Sequence, residues 1–346
     1  MAMHMPPMTA KVAILGASGY VGAELLRLCA GHPDLEPVAL YAQSSAGEGV
    51  GELYPHLAPS YAGVAFEPMD RLAFEGVDLV LAALPHGESQ AIAGQVIDSV
   101  AAFVDLGADF RLRDAAAYRQ WYGEDHSRPE LLGRFVYGLP EIARDQIAAS
   151  RLTAAPGCYP TAAILALKPL LDAGLIAAGG LIVDAASGVS GAGRSAKSET
   201  GFCTVADSMA AYGLLAHRHT AELNQALGGE VLFTPHLAPM NRGILATCYA
   251  TAAHDMAREA PLEALRAAYA DEPFVQVVDT PPATKWAQGS NTAFVTAAYD
   301  ARTGRVVAIC AIDNLVKGAA GQMIQCANLM LGLPETAGLP FCGVFP

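Results

Sequence analysis

The stretch KVAILGASGYVG, residues 11–22, constrains this chain more than any other. A short apolar run rich in β-formers passes straight into a turn punctuated by Gly16, Gly19 and Gly22. The next segment, AELLRLCAGH, carries Leu25, Leu26 and Leu28 at helical spacing. Strand, glycine turn and helix in that order open a parallel α/β sheet. The glycines allow a tight turn and let the backbone approach a pyrophosphate closely, while amides at the helix start aim at its charge. Gly16, Ala17, Ser18, Gly19, Tyr20, Val21 and Gly22 are therefore candidate dinucleotide contacts. The spacing is GxxGxxG rather than the commoner GxGxxG, so the strand–turn–helix context gives the motif its weight.

The pattern continues with EPVALYA as a second strand, VDLVLAALPHG as a third, GESQAIAGQVIDS as a helix and AAFVDLGAD as another strand. Apolar strands alternating with helices imply a parallel sheet covered on both faces. Beyond the helix that follows Cys158 the texture changes. GLIVDAASG, EVLFTPHLAP, GILATCYATAA, FVQVVD, NTAFVTAAYD and RVVAICAID read as strands, and DMAREAPLEALRAAYAD and AAGQMIQCANLMLGL as helices. The expected fold class is α/β: a Rossmann-type parallel-sheet domain over residues 1–156, then an α+β domain with a largely antiparallel or mixed sheet over 157–314. A C-terminal helix, about 315–346, is positioned to return to the first domain.

Hydrophobic residues make up 53% and charged residues 16% of the 346, enough to bury a large core. The formal net charge is −13 and no Lys/Arg-dense stretch offsets it, which argues against nucleic acid or an anionic membrane as partner. The apolar run Pro160–Leu167 is cut by Lys168 and Asp172, short of a membrane span. The N-terminal MAMHMPPMTA lacks the pattern of a signal peptide and reads as a loose lead-in. The 7 cysteines are dispersed, with no CxxC pair, as expected of free thiols in a reducing cytoplasm.

Two details sharpen the chemistry. An NAD site places a carboxylate roughly 20 residues beyond the glycine turn to hold the ribose 2′-hydroxyl. Here the second strand runs into Gln43, Ser44 and Ser45, neutral groups that suit a 2′-phosphate and hence NADP. Cys158, in AAPGCYPTAA, stands at a turn opening an apolar helix, where the helix dipole favours a thiolate; Pro160 fits a first helical turn. Further along, His217, His219 and Glu222 lie within one short stretch. Three readings stand: one histidine partners Cys158, both ligate zinc, or the stretch is a solvated helix start. No third or fourth zinc ligand at recognisable spacing accompanies them, so no metal is expected. Arg194 and Lys197 in SGVSGAGRSAKSE, and Arg111 just past a strand end, are candidate anion contacts.

Taken together, GASGYVGAEL (16–25), ALPHGES (83–89), DLGADFRL (105–112), YGLPE (137–141), APGCYPTA (155–162), SGVSGAGR (187–194), HRHTAEL (217–223), PHLAPMNRGILAT (235–247) and DNLVKGAAGQMIQ (313–325) resemble one family. It is the N-acetyl-γ-glutamyl-phosphate reductases, relatives of aspartate-semialdehyde dehydrogenase, and the resemblance runs nearly the whole chain. It implies NADPH-dependent reduction of an acyl phosphate to a semialdehyde through a cysteine thioester, in a cytoplasmic homodimer or homotetramer. Cys158 then matches the nucleophile and His217 or His219 the acid/base, with His217 slightly preferred. Ser44, Pro85, His86, Ser187, Gly188, Asn314 and Gly318 match cofactor contacts, and Arg111, Arg194 and Glu222 substrate contacts. Reductases of aspartyl or aminoadipyl phosphates share this chemistry, and an NADP-binding redox regulator is the alternative of a different class.

Overall fold

The computed structural model describes residues 9–345. The lead-in therefore lies outside the described residues as far as Met8, and Ala10 already opens the first strand. The chain divides into two compact units. One comprises the residues up to Arg113, His126–Ala155 and Ala320–Leu339; the other comprises Asp114–Asp125, Pro156–Ala319 and the residues from Pro340.

The first unit is built on a seven-stranded sheet. Its strands are β1 (Ala10–Leu15), β2 (Leu35–Ala42), β3 (Glu67–Pro68), β4 (Leu79–Ala82), β5 (Ala102–Asp105), β6 (Val136–Tyr137) and β7 (Leu152–Ala154). They lie in the order β3-β2-β1-β4-β5-β7-β6, every pairing parallel. The order reverses at β1, with β2 on one side and β4 on the other, and ligands of such sheets collect at that switch point. Every residue of β4 and β5 is buried, as expected of central strands covered on both faces. The β1–β2 register slips between Val12 and Ala13, opposite Pro37, which has no N–H to give to the ladder. Helices α1 (Tyr20–Ala30), α2 (Glu88–Ser99) and α3 (Pro140–Ala148) belong to this unit.

So does the helix Gly321–Met330, which packs on α3 and β5 and buries every residue from Gly321 to Asn328. The helix expected over about 315–346 is thus shorter at both ends. Val316–Ala320 is a π-helical turn, and the α-helix stops before Gly332, whose φ of +68° is the left-handed close that glycine accepts at low cost.

The second unit carries another seven-stranded sheet. Its strands are β8 (Leu181–Ser187), β9 (Ala210–Ala211), β10 (Val231–Leu237), β11 (Ile244–Thr251), β12 (Val275–Val277), β13 (Ala293–Asp300) and β14 (Arg305–Ile312), in the order β12-β13-β14-β11-β8-β10-β9. β8 pairs β10 and β12 pairs β13 in parallel, and the remaining pairings are antiparallel, so the sheet is mixed. Helix α4 (Cys158–Asp172) packs on β8, β11, β13 and β14. Helices α5 (His219–Leu227) and α6 (Ala260–Ala268) pack on α4 as well as on β10 and β13 respectively. Along β8 and β11 the residues alternate: Leu181, Val183, Ala185, Ile244, Ala246 and Cys248 are buried, whereas Ile182, Leu245 and Tyr249 are half-buried.

One buried charge site in the first unit has a consequence for stability. Asp105 closes β5 with no exposure, and its Oδ1 accepts hydrogen bonds from Ser89 Oγ (2.7 Å) and the Gly107 amide (2.9 Å). Burial pushes its carboxyl up to about 7, against the pull of the Ser89 hydrogen bond and with some help from neighbouring Asp109. Between the ordinary carboxylate range and 7 the folded chain holds a proton that the unfolded chain releases. Stability from this group is therefore full in acid and is lost as pH rises to 7. Asp105→Asn removes that slope. In thermal or urea unfolding, the variant should gain on the order of 4 kcal/mol relative to the wild type between pH 4 and pH 8; a pH-independent difference would contradict the assignment.

Candidate active site

In the first unit, Gly16 follows β1 with φ +78°, and a Cβ added there would lie 2.4 Å from the Ala83 carbonyl oxygen at the end of β4. Gly22 is equally confined: its Cβ would meet the Ala17 carbonyl oxygen at 2.4 Å. Gly19 donates to the Gly16 carbonyl (3.0 Å) and stands as N-cap of α1. Tyr54 Oη donates to the Ser18 carbonyl at 2.8 Å and pins the turn. Ala17 and Ser18 are buried and Tyr20 is exposed. The cradle is shaped by missing side chains, as a dinucleotide pyrophosphate requires. Past β2, Gln43 and Ser44 are exposed and Ser45 is buried, with no carboxylate among them.

Pro85 and His86 follow β4 in the same unit. His86 Nδ1 lies 3.0 Å from Asp109 Oδ1, and Asp109 also accepts from the amides of Gly87 (2.8 Å) and Gln90 (3.0 Å). Burial works to raise the Asp109 pKa, but the bonds from His86, Gly87 and Gln90 prevail and hold it below the usual range. Arg111, an expected substrate contact, is buried. Its Nε donates to the Ala155 carbonyl (2.9 Å) and its Nη2 to the Leu106 carbonyl (2.6 Å). The Ala155 amide meanwhile donates to the Asp105 carbonyl (2.7 Å), so the main chain is gripped on both sides just before the cysteine turn.

The second unit gathers the chemistry-bearing side chains. Gly157 is the N-cap of α4 and Cys158 its first residue, half-buried. The Gly157 carbonyl accepts from the Thr161 amide (2.9 Å) and Thr161 Oγ1 (3.0 Å). The Gly157 amide donates to Glu222 Oε2 at 2.9 Å, and Glu222 has no exposure. The other carboxylate oxygen, Oε1, lies 3.8 Å from His219 Nε2. His219 presses on the turn so closely that a Cβ on Gly157 would stand 2.3 Å from that nitrogen. Gly318 also abuts the cysteine: a Cβ there would stand 2.8 Å from the Cys158 Cβ. Glycine at 157 and 318 is thus what lets the histidine and the π-helical turn close on the thiol.

His217 sits among aromatic rings: Tyr159 at 5.9 Å, Tyr212 at 5.5 Å, Phe233 at 5.3 Å and His219 at 4.7 Å between centroids. Burial pushes its pKa down to about 4, and the neighbouring Arg218 charge adds to the drop. Its Nδ1 accepts from the His219 amide (3.2 Å), which assigns the proton of the neutral ring to Nε2. Tyr212 Oη donates to Tyr159 Oη (3.2 Å), which donates to the His236 carbonyl (3.0 Å).

Three loops meet beside this cluster. Ser187 closes β8 and Gly188 follows it, and the Gly188 amide donates to the Gly243 carbonyl (2.9 Å). Asn314 is nearly fully buried: its Oδ1 accepts from the Gly243 amide (2.7 Å) and its Nδ2 donates to Ser190 Oγ (2.9 Å). Both ends of this expected cofactor contact are thus used to tie loops together. Arg194 is exposed on the loop after β8. The sequence reading did not single out Asp109, Asp313 or Arg242, because only tertiary structure gives them partners. Among the described residues no cluster of three or more His, Cys, Asp or Glu is arranged to hold a metal ion, and no helix is long and apolar enough to cross a membrane.

Residues 11–150 match the family described as semialdehyde dehydrogenase, NAD binding domain, and residues 158–314 the semialdehyde dehydrogenase, dimerisation domain. N-acetyl-γ-glutamyl-phosphate reductases of Desulforudis audaxviator and Paracoccus denitrificans are each 47% identical to the chain. The alignments cover 97% of this chain and 99% of the first, and 98% of this chain and all of the second. The Pseudomonas putida enzyme of the same name is 45% identical, over 97% of this chain and 99% of its own. The chain belongs to the N-acetyl-γ-glutamyl-phosphate reductase family. Among solved structures, aspartate semialdehyde dehydrogenase II of Vibrio cholerae superposes with a TM-score of 0.71 at 18% identity, over 93% of this chain and 98% of that one. The Candida albicans aspartate semialdehyde dehydrogenase with NADP gives 0.61 at 16%, with the same coverage. At such identities the likeness shows the fold alone, so the family assignment rests on the reductases.

In this family member, Gly318→Ala drives a methyl group into the Cys158 Cβ. The expected result is a loss of kcat of about 10²-fold, the scale on which a 1 Å misplacement acts. An alanine variant with wild-type kcat would show that the close approach is not needed.

Proposed function

We propose that the chain reduces N-acetyl-γ-glutamyl phosphate to N-acetylglutamate 5-semialdehyde, releasing phosphate, through a thioester on Cys158. The observation that carries this reading is the fixed group at the start of α4: Cys158 on the first helical turn, its turn held by Glu222, with His219 against Gly157. Residues 1–156 serve the cofactor and 157–314 the chemistry. The Gly16–Gly22 turn and the Pro85–His86 loop hold NADP, and the neutral Gln43–Ser45 segment tolerates its 2′-phosphate.

The steps assigned to the protein are these. Cys158 Sγ attacks the acyl carbonyl, and amides of the first turn of α4 stabilise the oxyanion as the C–O bond to phosphate breaks. The thioester remains on Cys158. NADPH held at the Gly16–Gly22 turn would supply the hydride that reduces this thioester. A histidine then protonates the departing group as the C–S bond breaks and the aldehyde leaves. We assign that proton to His219 rather than His217. His219 has the Glu222 carboxylate beside it and lies on the cysteine turn, whereas His217 is held neutral by its aromatic surroundings and is a poor acid near pH 7. His217 instead orients His219 through the bond from the His219 amide to its Nδ1.

A second copy of the chain fits the half-buried face of the second sheet. In register, Ile182, Tyr249 and Val307 form one row across β8, β11 and β14, Ala186, Leu245 and Phe294 flank the fully buried Ala311 in another, and Asp184, Thr247 and Ile309 lie between them. An apolar surface of this kind resembles a core cut in half, as in permanent dimers. The assembly is read as a cytoplasmic homodimer, with any tetramer built from it.

The test is NADP⁺ reduction with N-acetylglutamate semialdehyde and phosphate, with aspartate semialdehyde as the control. Cys158→Ser should cut the rate by at least about 10³-fold and leave NADP⁺ binding intact. His219→Asn should cost about 10²–10⁴-fold, and His217→Asn less. Full phosphate-dependent activity in Cys158→Ser would overturn the covalent route, and a larger loss at His217 than at His219 would reverse their roles.

A further inference from the structure

A substrate with this acyl chain carries a second anion, an α-carboxylate four bonds from the reacting carbonyl carbon. The two arginines singled out in the sequence are poorly placed for it. Arg111 is turned onto the main-chain carbonyls of Ala155 and Leu106, and Arg194 stands exposed on a loop. Arg242 is placed differently. It lies on the loop between β10 and β11, with its side chain 23% exposed, and its Nη1 is 3.1 Å from Oδ2 of the fully buried Asp313.

Asp313 is itself immobilised. It accepts hydrogen bonds from the amides of Gly289 (2.7 Å), Leu315 (2.8 Å) and Val316 (3.1 Å). The carboxylate therefore fixes the guanidinium and balances its charge. Two structural links join this ion pair to the nucleophile. Through one, the Asp313 carbonyl accepts from the Gly318 amide (2.9 Å), and Gly318 abuts Cys158. Through the other, Tyr159, the residue after the cysteine, donates to the carbonyl of His236 near the end of β10, the strand that leads into the Arg242 loop. A Cβ on Gly188 would come 2.8 Å from the Arg242 amide, so the loop after β8 is closed down on it as well. A partly exposed arginine, held by a buried acid and linked twice to the cysteine turn, suits bidentate recognition of a carboxylate.

We infer that Arg242 binds the α-carboxylate of the acyl chain and so sets which semialdehydes the site accepts. The inference rests on the function proposed above. The leaving phosphate is not assigned to it, because phosphate departs from the carbonyl at the start of α4, whereas Arg242 lies on the β10–β11 loop with its Nη1 on Asp313.

The reverse reaction separates the two anions, since semialdehyde and phosphate are then separate substrates. Arg242→Met should raise KM for N-acetylglutamate semialdehyde by about 10–100-fold, the scale of a lost charge-assisted hydrogen bond, with KM for phosphate unchanged. Arg242→Lys keeps the charge without the planar fork and should fall between. On 4-acetamidobutanal, which lacks the carboxylate, wild type and Arg242→Met should have the same kcat/KM. NADP⁺ titration and thermal melting check that both variants are folded. A rise in KM for phosphate instead, or an equal loss on both aldehydes, would overturn the inference while leaving the proposed function standing. A wild-type protein inactive on both aldehydes would overturn the two together.

Discussion

The hydrogen bond from the Gly157 amide to Glu222 is the interaction on which the rest of the site depends. A carboxylate with no exposure must be well partnered, and the first turn of a helix leaves amides without intrahelical acceptors. Each meets the other's need. Because Glu222 is on α5, the bond also fixes that helix against α4, and His219, one turn earlier on α5, is carried onto Gly157. The position of His219 and the turn that presents the thiol are thereby set by a single carboxylate. Any change that shortens, neutralises or displaces it disturbs both.

Glycines do much of the remaining work by subtraction. Gly16 and Gly22 leave room where backbone meets backbone, and Gly157 and Gly318 leave room where a ring and a turn close on Cys158. The two sets differ in kind. Gly16 needs its left-handed backbone as well as the space, whereas Gly157, with φ −65°, needs only the space. Another residue adopts the backbone of Gly157 without strain, and the site alone forbids it.

Local patterns in the sequence carried the alternation of β1, α1, β2, β4, α2 and β5, the change of texture after Cys158, and the main strands of the second sheet. Each of those elements declares itself by its own periodicity. The two-residue strands β3 and β6 and the three-residue β7 did not, because pieces so short have no periodicity and exist only through their neighbours in the sheet. The site divides the same way. Cys158, His217, His219 and Glu222 lie in compact stretches that sequence can pick out, and the fold brings them together. Arg111 carries the same charge as Arg242, and nothing in the surrounding residues says which guanidinium is spent on main-chain carbonyls and which is held by a buried acid. That distinction arises from Ala155 and Asp313, which lie 44 and 71 residues away.

The helix Gly321–Met330 seals the first unit from the far end of the chain. Gln322 Nε2 and Cys326 Sγ both donate to the Gly138 carbonyl, at 2.7 and 3.3 Å, across more than 180 residues. On the ribosome, the glycine turn, the parallel sheet and α3 emerge long before these donors. The second unit, apart from Asp114–Asp125 and the residues from Pro340, is synthesised in between. The first unit must therefore wait, with the Gly138 carbonyl and the surface on α3 and β5 that will receive the helix still uncovered, until the last tenth of the chain arrives. Although the first unit begins first, most of the second is therefore synthesised before the helix that seals the first.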